Sequence, residues 1–204
     1  YHRVLDEAAA LPGVVSIGAV NSLPIEARGV NGSDFEVESR PLADSAIPPF
    51  VMYQAVTAGY FETLGIRLLA GREFTSSDAE SGGAVANVNE TFVRRAWPGG
   101  SPTGAVGRTY VSANRPVTMV GVAADSKYST LSEPATPFVY RPQAQRWDAG
   151  RTLFVRASGD PATAARIVQE AVASIDPLLP RPAVTTLARV PGMGPKRIRA
   201  VREA

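Results

Sequence analysis

Two hydrophobic periods alternate along the 204 residues of this chain, one helical and one of strand type. In residues 2–11, HRVLDEAAAL, the positions Leu5, Ala8 and Ala9 fall on one face at helical spacing, and Pro12-Gly13 closes the segment. VVSIGAV at 14–20 is β-rich and too apolar for an exposed edge strand. NSLPIEARGVNGS then reads as a loop, with Asn31-Gly32 as a turn pair. Phe35-Glu36-Val37-Glu38 alternates with period two, which puts Glu36 and Glu38 on one face of a strand. A Pro-rich stretch leads into a strand at 50–57. A short helix follows, with Thr57 as the expected N-cap, Tyr60, Phe61 and Leu64 inward and Gly65 just past its end.

Strands are expected at 67–70 and 84–88. Asn89 is placed to cap a helix over 90–97, with Glu90 in its first turn, Arg94 and Arg95 in its last, and Pro98-Gly99 as the stop. Segments 108–111 and 116–123 flank Ser112-Ala113-Asn114-Arg115 and read as a β-hairpin, with a further short strand at 137–140. After a strand at 152–157, Asp160-Pro161 supplies an N-cap and an N1 proline for a helix reaching Ile175. Ala164, Val168, Ala171, Val172 and Ile175 form its inward stripe. A last strand is expected at 183–187. The element order predicts an α+β fold of two lobes. Residues 1–57 and 151–187 form an α/β lobe, 58–150 an inserted β-rich lobe, and 188–204 a basic C-terminal extension.

Composition narrows the classes. Apolar content of 45% and charged content of 20% are ordinary globular values. Five of the 21 Lys and Arg lie in residues 188–204 (Arg189, Lys196, Arg197, Arg199, Arg202), leaving 16 basic against 18 acidic residues before them. The body is thus mildly acidic and the tail basic. The absence of Cys excludes disulfides, thiolate metal sites and cysteine nucleophiles. No apolar run approaches the ~18 residues of a membrane-spanning helix. Tyr1 is not an initiator methionine, and the chain reads as an excised piece, which leaves room for anchors or a signal outside it.

Candidate chemistry is sparse. His2 is the only histidine and has no partners for a triad or a metal site. Gly99–Gly104, GGSPTG, has phosphate-loop glycine spacing but continues Ala105-Val106 instead of Lys-Ser/Thr, so it reads as a helix stop and turn. Glu36 and Glu38 are the solvated face of a strand rather than a catalytic carboxylate pair. Asp125-Ser126-Lys127-Tyr128 is a polar and aromatic loop after a strand. Asn31-Gly32-Ser33 and Asn89-Glu90-Thr91 match the N-glycosylation sequon. The tail over 187–201 resembles a helix-hairpin-helix nucleic-acid motif, the matching part being the Val190-Pro-Gly-Met-Gly194 turn followed by Lys196, Arg197 and Ile198. A nucleic-acid-binding module through that tail, or a secreted ligand-binding domain, is the alternative reading. No catalytic, cofactor-binding or metal residues are assigned, and no enzyme activity is expected.

One set of motifs is more specific. Leu11-Pro-Gly-Val14, Tyr60-Phe61-Glu-Thr-Leu-Gly65, Ala70-Gly-Arg-Glu-Phe74 and Val88-Asn-Glu-Thr91 recur in order with Trp97-Pro98, Gly104, Gly107, Met119-Val-Gly-Val122 and Tyr140-Arg-Pro142. Together they resemble the periplasmic core domain of MacB-like ABC-transporter permeases, of the duplicated bacterial type, over residues 2–187. The resemblance implies a non-catalytic domain on the extracytoplasmic side of the bacterial inner membrane, anchored by transmembrane helices outside this chain. It would couple ATP-driven motion of those helices to substrate export or partner proteins. The implied partners are the membrane-embedded remainder of the permease, a second permease copy, an ABC ATPase subunit or domain acting indirectly, and a periplasmic partner protein. No cofactor is implied, and nucleic acid is not among the expected partners.

Overall fold

Gly13 turns the chain from helix to strand at φ +84°, where a side chain would be strained. Before it, α1 (His2–Ala9) buries Val4 and Ala8, one helical turn apart. Leu5 is only half-buried and Ala9 is exposed, so the buried stripe is rotated from the expected one. The structure is a computed structural model describing residues 2–22, 31–37, 49–75, 77–78, 83–128, 132–145, 152–175 and 183–184. After α1 come β1 (Val14–Val20), β2 (Asn31–Asp34), β3 (Glu36–Val37), β4 (Phe50–Val56), α2 (Tyr60–Leu64) and β5 (Leu68–Gly71). The middle holds β6 (Val85–Asn89), α3 (Glu90–Ala96), α4 (Pro102–Ala105), β7 (Thr109–Ser112), β8 (Arg115–Ala123) and β9 (Phe138–Pro142). A 3₁₀ turn (Gln143–Gln145), β10 (Thr152–Ala157) and α5 (Pro161–Ile175) complete the order. The fold is α+β.

The strands form one mixed sheet in the order β10-β1-β4-β9-β6-β8-β7-β3, with β2 on β4 and β5 on β8. Its path returns on itself. Segment 31–37 pairs with β4 through β2 and with β7 through β3, so it links the two ends of the run β4-β9-β6-β8-β7. This circuit encloses Phe35, Val51, Tyr53, Val88, Tyr110, Met119 and Val139, and α3 adds Phe92 and Val93. A second cluster on the outer face joins Tyr60, Phe61, Tyr128, Phe138, Tyr140 and Phe154. The third holds α1 and α5 together through Val4, Val168 and Val172, with Leu153 and Val155 of β10 packed against it. Alternation explains the division. On β9, Val139 faces the circuit's interior while Phe138 and Tyr140 face α2.

Several sequence expectations need correction. Asn31-Gly32 is not a turn but the start of β2, with Asn31 opposite Tyr53 and Gly32 opposite Met52. The Phe50 ring occupies the space above Gly32, where a Cβ would lie 1.7 Å from a ring carbon. An added Cβ would push that exposed ring aside, so glycine here serves packing under Phe50 rather than turn geometry. Thr57 does not cap α2; its Oγ1 accepts the Ala19 N–H at 2.8 Å and joins β4 to β1. Gly99–Gly104 holds more than a stop and a turn: Ser101 Oγ accepts the Gly104 N–H and starts α4 at Pro102. Other features follow the expected pattern. The hairpin loop is Ala113-Asn114, both at positive φ (50° and 59°), as a type I′ turn requires. Of the last expected strand, residues 183 and 184 carry no regular structure and 185–187 lie outside the described residues, as do Glu38 and the basic tail at 188–204.

Candidate functional site

The Val56–Phe74 region crosses from β4 through α2 to β5, and each of its unusual residues has a local cause. Gly59 sits at φ +75° before α2, and a Cβ there would lie 2.5 Å from the Ile17 carbonyl oxygen. Gly18 of β1 is equally close, since its Cβ would lie 2.6 Å from the Tyr60 Cα. Two glycines thus let the start of α2 rest directly on β1. No side chain of the preceding loop caps the helix. Glu73 does so from across the turn: Oε2 accepts the Gly59 N–H at 2.8 Å and Oε1 accepts the Glu62 N–H at 3.0 Å. Gly65, at φ 71°, closes the other end. Arg156 of β10 donates to the Thr63 carbonyl at 2.8 Å, and its Nη2 also reaches the Glu62 carbonyl that the Gly65 N–H already meets.

The following motif, Ala70–Phe74, is set by the same logic. At Gly71 a Cβ would lie 2.2 Å from the Val120 carbonyl oxygen of β8. Arg72 makes a two-pronged bond to Asp78, at 2.6 and 2.9 Å, and Asp78 also accepts the Thr75 N–H. The Arg72 hydrogen bonds hold the Asp78 carboxyl below its ordinary range, against the opposing effect of burial. The motif serves to cap, clamp and pack.

Tyr60 and Phe61 enter the outer aromatic cluster, with Phe61 edge-on to Tyr140 at 4.7 Å and Tyr60 edge-on to Phe154 at 6.2 Å. Tyr128 stacks on Phe138 at 3.6 Å, and its hydroxyl meets that of Tyr140 at 2.8 Å. Burial raises the pKa of Tyr60, Tyr128 and Tyr140 above the ordinary phenol value. These phenols stay neutral, so the cluster is a packed junction with no proton to give at physiological pH.

The Asp125 loop is a second junction. Asp125 accepts from Asn89 Nδ2, from the Thr91 N–H and hydroxyl, and from Arg94 at 2.8 Å. Asn89 caps α3 as expected, its Oδ1 accepting the Phe92 N–H, and it also accepts the Phe138 N–H. Asn89 is fully buried, which closes its sequon to modification in the folded chain. Tyr128 of the same loop is buried, while Lys127 is exposed. Glu36 pairs opposite Val111 on β7 and is half-buried.

His2 lies at the start of α1. Among the described residues no group of three or more His, Cys, Asp or Glu is placed to hold a metal ion. No described helix is long and apolar enough to cross a membrane. Glu73 and Asp78 were not legible as partners, because their bonds depend on the fold around α2 and β5 rather than on any spacing rule. The signal present was the Gly71-Arg72-Glu73 run itself, polar residues directly after a strand.

Three comparisons place this architecture. No curated protein matches the chain in sequence. Among solved structures, the periplasmic region of MacB from Actinobacillus actinomycetemcomitans has a similar fold, with a TM-score of 0.56 at 16% identity. That match covers 84% of this chain and 72% of the other. The extracellular domain of the noncanonic ABC-type transporter YknZ from Gram-positive bacteria is also similar, with a TM-score of 0.52 at 14% identity. It covers 83% of this chain and 82% of that one. The sequence model of the MacB-like periplasmic core domain matches residues 3–174, from α1 to the last turn of α5. Matched over most of its length, the chain belongs to the MacB-like periplasmic core domain family.

Proposed function

We infer that this domain carries no chemistry of its own and transmits ATP-driven movement of a permease's membrane helices to an exported substrate or a partner protein. ATP hydrolysis takes place on a separate cytoplasmic subunit or domain. The observation that carries the reading is the family match over residues 3–174. The packing of α1 on α5 supports it. These helices hold the first and last residues of that match and share one core of Val4, Val168 and Val172. A displacement entering through either helix is therefore shared by both, and passes into β1 and β10 beneath them.

The proposed division sets residues 1–57 and 151–187 as the moving α/β lobe and 58–150 as the lobe presenting a partner surface. β4 is the mechanical link, since Val56 pairs with Val20 of β1 while Met52–Val56 pairs along β9. A second permease copy and a periplasmic protein are the proposed partners, on the extracytoplasmic side of the membrane. The test replaces residues 3–174 by a short Gly/Ser linker in the whole permease, reconstituted with its ATPase. ATP hydrolysis should persist while export stops. Undiminished export, or catalytic turnover by the 204-residue chain alone, would contradict the reading.

A further inference from the structure

Asn31 is the only asparagine of the chain that is followed by glycine. Asn31 and Gly32 open β2, and both are exposed. The register fixes the direction of the Gly32 N–H. Residues 31–34 pair with 50–53 in an unbroken antiparallel run, and one step further the Phe35 N–H donates to the Pro49 carbonyl at 3.1 Å. Hydrogen-bonded pairs alternate with non-bonded ones along such a ladder. The bonded pairs are therefore Phe35–Pro49, Ser33–Val51 and Asn31–Tyr53, and the Gly32 N–H points away from β4.

The other asparagines lack this combination. Asn87 and Asn89 are fully buried, and Asn21 Oδ1 accepts the Ala55 N–H at 2.9 Å. Asn114 is exposed in the β7–β8 turn, but the nitrogen that follows it belongs to Arg115, which carries a side chain. At Asn31 an exposed amide precedes a backbone nitrogen that the ladder does not use and that no Cβ shields. Glycine also permits the backbone rotation that brings that nitrogen to the amide carbon. The extended strand keeps the two apart, so the pair reacts only when it leaves β4. Asn31–Tyr53 is the last pair of its register, and ladder ends open at the lowest cost. The Phe50 ring over Gly32 opposes that opening.

We propose that Asn31 is a self-modification site, converted to aspartate and isoaspartate when the end of β2 opens. The Gly32 nitrogen gives up its proton and bonds to the Asn31 Cγ, while the side-chain nitrogen takes up a proton and leaves as ammonia. Water then opens the cyclic imide. Attack at the side-chain carbonyl gives aspartate, and attack at the main-chain carbonyl gives isoaspartate. Isoaspartate adds a carbon to the main chain and sets a charge opposite Tyr53, which works against the register of β2 on β4. Segment 31–37 joins β4 to β7, so the conversion loosens the link that closes the strand circuit. The inference goes beyond the transport reading and does not depend on it.

The test incubates the 204-residue chain in mildly alkaline buffer, native and in urea, and follows each asparagine by peptide mass mapping. Asn31 should convert to both products in the native chain, at a rate about tenfold or more below that in urea, the cost of a local opening. Phe50→Ala removes the ring over Gly32 and should speed the native conversion several-fold while leaving the rate in urea unchanged. Asn31→Gln, whose longer side chain closes the ring far more slowly, should keep the position intact. Converted chains, separated from the parent, should unfold at a lower urea concentration. The proposal is overturned if Asn31 stays intact in the native chain while the chain in urea converts, or if the two rates are equal. Faster conversion at Asn114 than at Asn31, or an unchanged native rate in Phe50→Ala, overturns it as well. A converted chain as stable as the parent would contradict the loosening of the circuit.

Discussion

Glycine contacts and borrowed caps govern this molecule at the scale of single residues. Glu73 satisfies two N–H groups at the start of α2 that no local side chain reaches. Glu73→Ala should lower unfolding stability by about 0.5–2 kcal/mol, the range of a lost N-cap, measured by urea denaturation. A loss below about 0.5 kcal/mol would mean that water replaces the carboxylate at no cost. Asp78 makes a pH-dependent contribution. Its folded pKa is lowered, chiefly by the Arg72 hydrogen bonds, so its stabilisation is fully present above the unfolded value near ~3.9. That contribution is lost as pH falls through the lower folded value. Asp78→Asn should therefore flatten the acid limb of stability against pH, while leaving the shape of the curve above pH ~5 unchanged.

At the scale of elements, most strands and helices were legible, because their caps and periods are local. Asn89 before α3, Asp160-Pro161 before α5 and the Ala113-Asn114 turn each fall where the sequence reading puts them. What was not legible depends on partners distant in sequence. Asn31-Gly32 carries a turn signal, yet β4 captures it as strand and covers Gly32 with Phe50. Thr57 has the chemistry of a cap but bonds β1, because the chain arrives there as the end of a paired strand. The Phe50 case can be measured. Phe50 is 62% exposed, so simple transfer predicts little loss on truncation. If its ring shields the Gly32 backbone and fixes β2 on β4, Phe50→Ala should cost about 1 kcal/mol in denaturant midpoint analysis. A loss no larger than that of an average exposed residue would remove this role.

For the whole molecule, the sheet path matters more than the list of elements. The sequence reading separated terminal from central segments and carried the family motifs, but no local pattern announces that segment 31–37 joins β4 to β7. Closure of that circuit is a long-range property, as is the bond from Arg141 of β9 to Ser112 of β7. The motifs that mark the family are now accounted for as packing and capping: Gly59 against β1, Gly71 against β8, Tyr60 and Phe61 against Tyr140. The proposed function requires a domain held by such contacts to transmit displacement as a body. It is tested most directly in the whole permease, reconstituted with its ATPase in vesicles bearing an energy-transfer acceptor on the lipid headgroups. The chain has no cysteine, so Arg166→Cys on exposed α5 and Asn114→Cys at the β7–β8 turn each give one labelling site within it. Transfer efficiency from both positions should change on adding ATP and return when ATP is exhausted. Unchanged efficiency at both positions while ATP is being hydrolysed would contradict the account.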